Sequence, residues 1–136
     1  MNSSTLKVQP KDSLADKRVL IVDDETDIIQ LLESMLAATG CEVVTATGAG
    51  QALQLCDEGL QVDLILMDVI LPCSINGGAL SKELKTRLPG TPVVFMSGYA
   101  ENSVPQLGQR VGDTAMLQKP FSRTDLISTL ESILIH

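Results

Sequence analysis

Aromatic side chains are almost missing from this 136-residue chain, which has two Phe, one Tyr and no Trp. So few rings cannot build a stacking platform for unpaired bases, which argues against a single-stranded nucleic acid ligand. Basic charge is also short. Ten Lys and Arg stand against 17 Asp and Glu, a formal charge of -7, whereas a duplex reader carries a basic patch. Metal cations and basic protein surfaces suit the chain better as partners than nucleic acid does. Histidine occurs once, as the terminal His136, which removes Ser/His and Cys/His catalysis and most zinc sites. The three cysteines, Cys41, Cys56 and Cys73, are odd in number and not at metal-ligand spacing. They read as thiols in a reducing cytosol. No run approaches the ~18 apolar residues of a membrane span, and the N-terminus lacks an apolar signal core. The expectation is a soluble, cytoplasmic chain with no membrane partner.

What is present is ordinary globular material: 44% apolar and 20% charged residues, in a length that suits one domain. Residues 1–16 are polar and aperiodic and read as a flexible tail or linker, with order from Lys17 and the domain spanning 17–136. Apolar runs then alternate with helical spacing. Strands are expected at Arg18–Asp23, Glu42–Thr45, Asp63–Met67, Pro92–Met96 and Ala115–Leu117. The first helix covers Glu25–Thr39, with Ile28, Leu31, Leu32, Met35 and Leu36 on one face and Gly40 as its stop. Further helices are expected at Gly48–Glu58, Gly78–Leu88 and Ser122–Ile135, the last opened by a Ser122/Asp125 capping box. Ser103 and Pro105 fit the start of a short, weak helix within 99–112. Strands without alternation suit burial on both faces. The fold class is therefore α/β: a five-stranded parallel sheet, order 2-1-3-4-5, with helices on both faces, as in flavodoxin-like folds.

In such folds ligands bind outside the carboxyl ends of the strands. Those ends carry Asp23 and Asp24, Asp68, Ser97 and Lys119. Clustered carboxylates call for a cation, and Mg²⁺ takes oxygen ligands while leaving room for phosphate. Asp68, alone at the middle strand, is best placed as a nucleophile of the aspartyl-phosphate kind. Asp23 and Asp24 would hold the metal, Lys119 would neutralise phosphoryl oxygens, and Ser97 would donate a hydrogen bond to them. Each residue has a plainer reading: a strand-end Asp in a turn, Asp24 or Glu25 capping the next helix, a surface lysine. Five such residues at one edge favour chemistry. The stretch Gly48-Ala49-Gly50-Gln51-Ala52-Leu53 imitates a dinucleotide fingerprint, but it follows the second strand and ends in Leu, so it reads as a helix start.

The segments VLIVDDE (19–25), DLILMDVILP (63–72), VVFMSGYAE (93–101) and LQKPF (117–121) resemble the receiver domain of two-component response regulators, over about residues 17–135. The resemblance implies a phospho-accepting signalling domain. Asp68 would take a phosphoryl group from a phosphohistidine on a histidine kinase or phosphotransfer protein, with Mg²⁺, and the change of shape would serve docking to a downstream protein. It also implies the backbone carbonyl of Ile70 as a third protein metal ligand and a cis Lys119–Pro120 bond. Ser97 and an aromatic three residues before the lysine would form the switch. Here that position is Met116, and Tyr99 is the substitute at hand. The loop 72–77 is one residue longer than is usual. The bulk of Ile70 and Tyr99 beside the water route suggests slow self-dephosphorylation; the chain is not a dedicated enzyme. The wording at 97–100 is similar to receivers attached to hybrid histidine kinases. Two rivals are a docking module no longer phosphorylated and a Mg²⁺-dependent phosphohydrolase. The second lacks the Asp-x-Asp pair, since Ile70 stands where the second acid would be.

Overall fold

The computed structural model describes residues 14–68, 77–97, 115–119 and 121–135. Five strands form one sheet: β1 Arg18–Val22, β2 Glu42–Ala46, β3 Leu64–Asp68, β4 Val93–Ser97 and β5 Ala115–Gln118. Its order is β2-β1-β3-β4-β5 and every pairing is parallel, the order expected from the sequence. Four helices are described: α1 Thr26–Ala37, α2 Ala49–Asp57, α3 Gly77–Arg87 and α4 Arg123–Leu134. The expected helix within 99–112, the loop 72–77 and Pro120 lie outside the described residues. Among the described residues, no helix is long and apolar enough to cross a membrane.

The inner strands β1, β3 and β4 are apolar through their middles because both faces are covered, and alternation sorts the strand residues into two cores. Val19, Ile21, Leu64, Leu66, Val94, Met96 and Leu117 pack with Ile29, Leu32 and Leu36 of α1 and with Leu126 and Leu130 of α4. The residues between them, Leu20, Val22, Ile65, Met67, Val93 and Phe95, pack with Ala52 of α2 and with Leu80 and Leu84 of α3. With so few rings, aliphatic side chains fill both layers. Each fully buried Leu, Ile or Phe contributes about 1.5–3 kcal/mol.

Helix ends follow local chemistry. Gly40 and Gly59 take positive φ, 81° and 104°, just past α1 and α2, where a side chain would be strained. Ser122 accepts from the Asp125 N–H while the Asp125 carboxylate accepts from the Ser122 N–H, the expected capping box. Gly48 sits at the N-cap of α2, so the glycines of the false fingerprint do open a helix.

One helix face differs from its expectation. Leu31 is 49% exposed, while Ile29, Leu32 and Leu36 are buried. At about 100° per residue, Leu31 stands about 100° from Leu32, on the flank of the stripe that Ile29, Leu32 and Leu36 share. Apolar spacing admitted both sets; packing on the sheet selects the second. The described chain also starts inside the stretch read as tail, at Leu14, whose side chain is fully buried against the α1/α4 core.

Candidate functional site

Sheet register brings the acids together. Val22 pairs with Met67 across β1 and β3, so the next residues on each strand, Asp23 and Asp68, come level. Alternation that turns Ile21, Leu66 and Leu117 toward the α1/α4 layer brings Asp23, Asp68 and Lys119, each two residues on, to the same side.

Lys119 joins the two buried acids. Its ammonium lies 3.3 Å from Asp23 Oδ2 and 3.3 Å from Asp68 Oδ2. The Asp23 side chain has no solvent exposure and that of Asp68 only 10%. Burial alone would push the Lys119 ammonium down, but Asp23 and Asp68 together outweigh it and hold its pKa above the ordinary lysine value. The ammonium is thus kept charged by the carboxylates it bridges.

Asp23 is held at three points. Its N–H donates to the Ala46 carbonyl at 3.1 Å. Oδ1 accepts from the Glu25 N–H at 2.9 Å and Oδ2 from Lys119. The bond from the Glu25 N–H to Oδ1 is turn chemistry of the Asx kind. Helix α1 therefore starts without a side-chain cap: Glu25 is the N-cap residue and makes no capping bond. The capping alternative for Glu25 is not what the structure shows. Neither the Ala46 carbonyl nor the Glu25 N–H is legible as a site group in the sequence. The nearest signal was the turn propensity of an Asp at a strand end.

Asp24 is exposed. One carboxylate oxygen each from Asp23, Asp24 and Asp68 lies within 4.8 Å of the others. Three oxygens on one octahedral ion, with bonds of 2.0–2.1 Å, include at least two adjacent pairs about 2.9 Å apart. The three acids are near enough for side-chain adjustment to gather them around one ion, and an all-oxygen donor set suits a small hard cation. Asp24, the exposed one of the three, is the most accessible to such an ion, while Asp23 and Asp68 both bond Lys119.

Four of the sequence-predicted residues thus converge: Asp23, Asp24, Asp68 and Lys119. Ser97 closes β4, paired in register with Gln118, and Met116 lies in β5 opposite Phe95. The side chains of Ser97 and Met116, and the whole of Ile70 and Tyr99, fall outside the described residues.

Known proteins share this architecture. A sequence-family model described as "Response regulator receiver domain" matches residues 19–131. A CpxR homolog from Haemophilus influenzae, named as a transcriptional regulatory protein, is 32% identical over 117 residues, 86% of this chain and 50% of that protein. PdtaR from Mycobacterium tuberculosis, also named as a transcriptional regulatory protein, is 33% identical over 120 residues, 88% of this chain and 58% of its own length. The chain spans about half the length of the curated relatives it matches. Among solved structures, the receiver domain of NtrX from Brucella abortus is similar at a TM-score of 0.76 and 33% identity, covering 85% of this chain and 97% of that one. A putative response regulator from Chloroflexus aurantiacus reaches 0.77 at 30% identity, covering 88% and 98%.

Proposed function

Because this chain belongs to the response regulator receiver domain family, we propose that it is a phospho-accepting signalling domain in which Asp68 takes a phosphoryl group from a partner's phosphohistidine. The observation that carries this reading is the Lys119 ammonium, 3.3 Å from both buried acids, with the exposed Asp24 beside them.

An Asp68 carboxylate oxygen attacks phosphorus in line with the imidazole nitrogen. The P–N bond breaks as the new P–O bond forms, and the electron pair leaves with the imidazole, giving an acyl phosphate on Asp68. Lys119 stays charged throughout and supplies a fixed positive centre to the arriving phosphoryl oxygens. Its two present contacts are to carboxylates, so moving toward phosphate exchanges one anionic partner for another at little cost in charge. Asp23, pinned by Glu25 and Ala46, keeps that ammonium aimed at the strand ends. Asp23, Asp24 and Asp68, with the Ile70 carbonyl as a further ligand, would hold Mg²⁺, whose charge would offset the negative charge gathered in transfer.

The donor is a histidine kinase or a phosphotransfer protein, in the cytoplasm. The new charge on Asp68 draws Ser97 and Lys119 toward it, and a change of shape carries the signal to a downstream protein. In this reading Ser97, Tyr99 and Met116 form the switch, and return of Asp68 to its free state by self-hydrolysis is slow.

Incubation of the full chain with acetyl phosphate and Mg²⁺, followed by intact-mass measurement, tests the assignment. One phosphoryl adduct is expected on the wild type and none on Asp68→Asn. An adduct of equal yield on Asp68→Asn would overturn it, as would failure of the wild type to take up phosphoryl. Rapid release of phosphate from small esters would point to the hydrolase instead.

A further inference from the structure

The turn ahead of β1 is built into the fold. Leu14 is fully buried and belongs to the same core cluster as Val19, Leu32 and Leu36. Its N–H donates to the Thr39 carbonyl at 3.2 Å, just past the end of α1. The Lys17 N–H returns to the Leu14 carbonyl at 3.0 Å and closes the turn, while the Lys17 carbonyl accepts from the Glu42 N–H at 2.9 Å at the head of β2. Four residues therefore tie the end of α1 to the starts of β1 and β2. All four precede the segment that the family shares, which begins at residue 19.

The partner side of this contact is also buried. Thr39 has no solvent exposure. Its hydroxyl donates to the Leu36 carbonyl at 2.6 Å and accepts from the Cys41 N–H at 3.3 Å. Without Leu14 the Thr39 carbonyl would lose this donor, and a buried acceptor left unsatisfied costs free energy. Between its two ends the turn is lightly held. Ala15 and Asp16 are exposed, and with Lys17 they line an open crevice of about 330 Å³ against Arg18, Glu42 and Asp63. One apolar side chain and one backbone hydrogen bond make the anchor.

We propose that Leu14–Lys17 is a strap whose single anchor, Leu14, pins the C-terminal end of α1 to the sheet, so that releasing Leu14 loosens that end of α1 before it loosens the middle of the sheet. Leu14–Lys17 is then a structural part of the domain, able to pass a pull at Leu14 to the end of α1.

Residue-resolved amide exchange on the full chain tests this. The Leu14 amide is expected to exchange at least roughly tenfold more slowly than in a free peptide, because it is bonded in a closed unit. Leu14→Ala should speed exchange at Thr39 and Gly40, whose N–H groups bond the Leu36 and Ala37 carbonyls at the end of α1, by roughly thirtyfold or more, the lower end of the range for a buried Leu→Ala change expressed as a rate. Amides in the middle of β3 should change less. Leu14→Met, which conserves volume, should keep the wild-type pattern. If Leu14→Ala does not fold, Leu14→Val reads the same gradient with a smaller loss of volume. Free-peptide exchange at Leu14 in the wild type would overturn the strap. So would acceleration spread evenly over the sheet, or no acceleration at all.

Discussion

At the amino ends of β1, β2 and β3, Arg18 is 41% exposed and bonds Glu42 at 3.1 Å and the Gln61 carbonyl at 3.0 Å, while its own N–H meets the Asp63 carboxylate at 2.8 Å. At the carboxyl ends of the same strands, Asp23 and Asp68 are buried and share Lys119, with Asp24 close by. One end spreads its charges in water as a local ion pair and a set of backbone contacts. The other withdraws two acids from water around one ammonium and keeps a third, exposed acid beside them. Exposed pairing of the first kind contributes little and asks for nothing further. Withdrawn excess charge is costly, and under the proposed function it lies where a cation and a phosphoryl group would be received.

Removing the ammonium should break this contrast most. In Lys119→Met the buried Asp23 and Asp68 carboxylates face each other without the ammonium they share. Breaking a buried ion pair typically costs 3–5 kcal/mol, and the partial exposure of Lys119 places the expected loss near the lower figure, about 3 kcal/mol. Urea unfolding without divalent ions measures it. Added Mg²⁺ should restore more stability to Lys119→Met than it adds to the wild type, since the ion would then meet the least compensated acids. Equal stability of the two proteins without metal would mean that Lys119 does not balance the site.

The end proposed to carry the chemistry was also the more legible one. Asp23, Asp24, Asp68 and Lys119 stand directly after unbroken apolar runs, and a parallel sheet brings such positions to one edge whatever the details of packing. Strand order needed more than those runs: right-handed crossovers and the flavodoxin-like arrangement of five strands supplied it. The groups that hold Asp23 were not legible, because the Glu25 N–H and the Ala46 carbonyl are backbone and every residue offers them. On α1, six apolar residues allow two neighbouring stripes, and only contact with β1 and β3 decides that Ile29 turns inward and Leu31 outward. Leu14 was hidden for a different reason. A lone apolar residue in a polar stretch has no period, so its burial depends wholly on the cavity that the rest of the fold leaves for it.

Alkaline titration sharpens the comparison by a smaller effect. Burial raises the pKa of the Cys41 thiol, and burial raises that of Cys56 despite the opposing charge of Arg87. Lys119 is raised as well, its two acids overcoming its burial. All three groups hold their protons more tightly in the folded state, so stability falls as pH rises past them. Their contribution is whole below the unfolded values, ~8.5 for Cys and ~10.4 for Lys. It is lost as pH climbs through the higher folded values. The urea midpoint should therefore hold level as far as these groups are concerned between about pH 7 and 8 and then decline in two phases. A Cys41→Ala/Cys56→Ala double variant should flatten the first phase, and Lys119→Met the second. A Lys119→Met profile identical to the wild type above about pH 10 would contradict the shared ammonium.

The smallest effect belongs to the amino ends. Arg18→Met, Glu42→Gln and the double variant form a cycle whose coupling should be about 0.2–1 kcal/mol, as for exposed pairs, and should shrink in high salt. The backbone contact from the Arg18 N–H to Asp63 survives the substitution, so the β1–β3 junction stays closed. Phosphoryl uptake from acetyl phosphate should match the wild type, because nothing in the Arg18 cluster reaches the Asp68 edge. A coupling above about 2 kcal/mol would place this pair outside the range of surface ion pairs. A change in uptake would show that the two ends of the sheet are not independent, and the division between a paired end and a receptive end would have to be redrawn with Arg18 as part of the site.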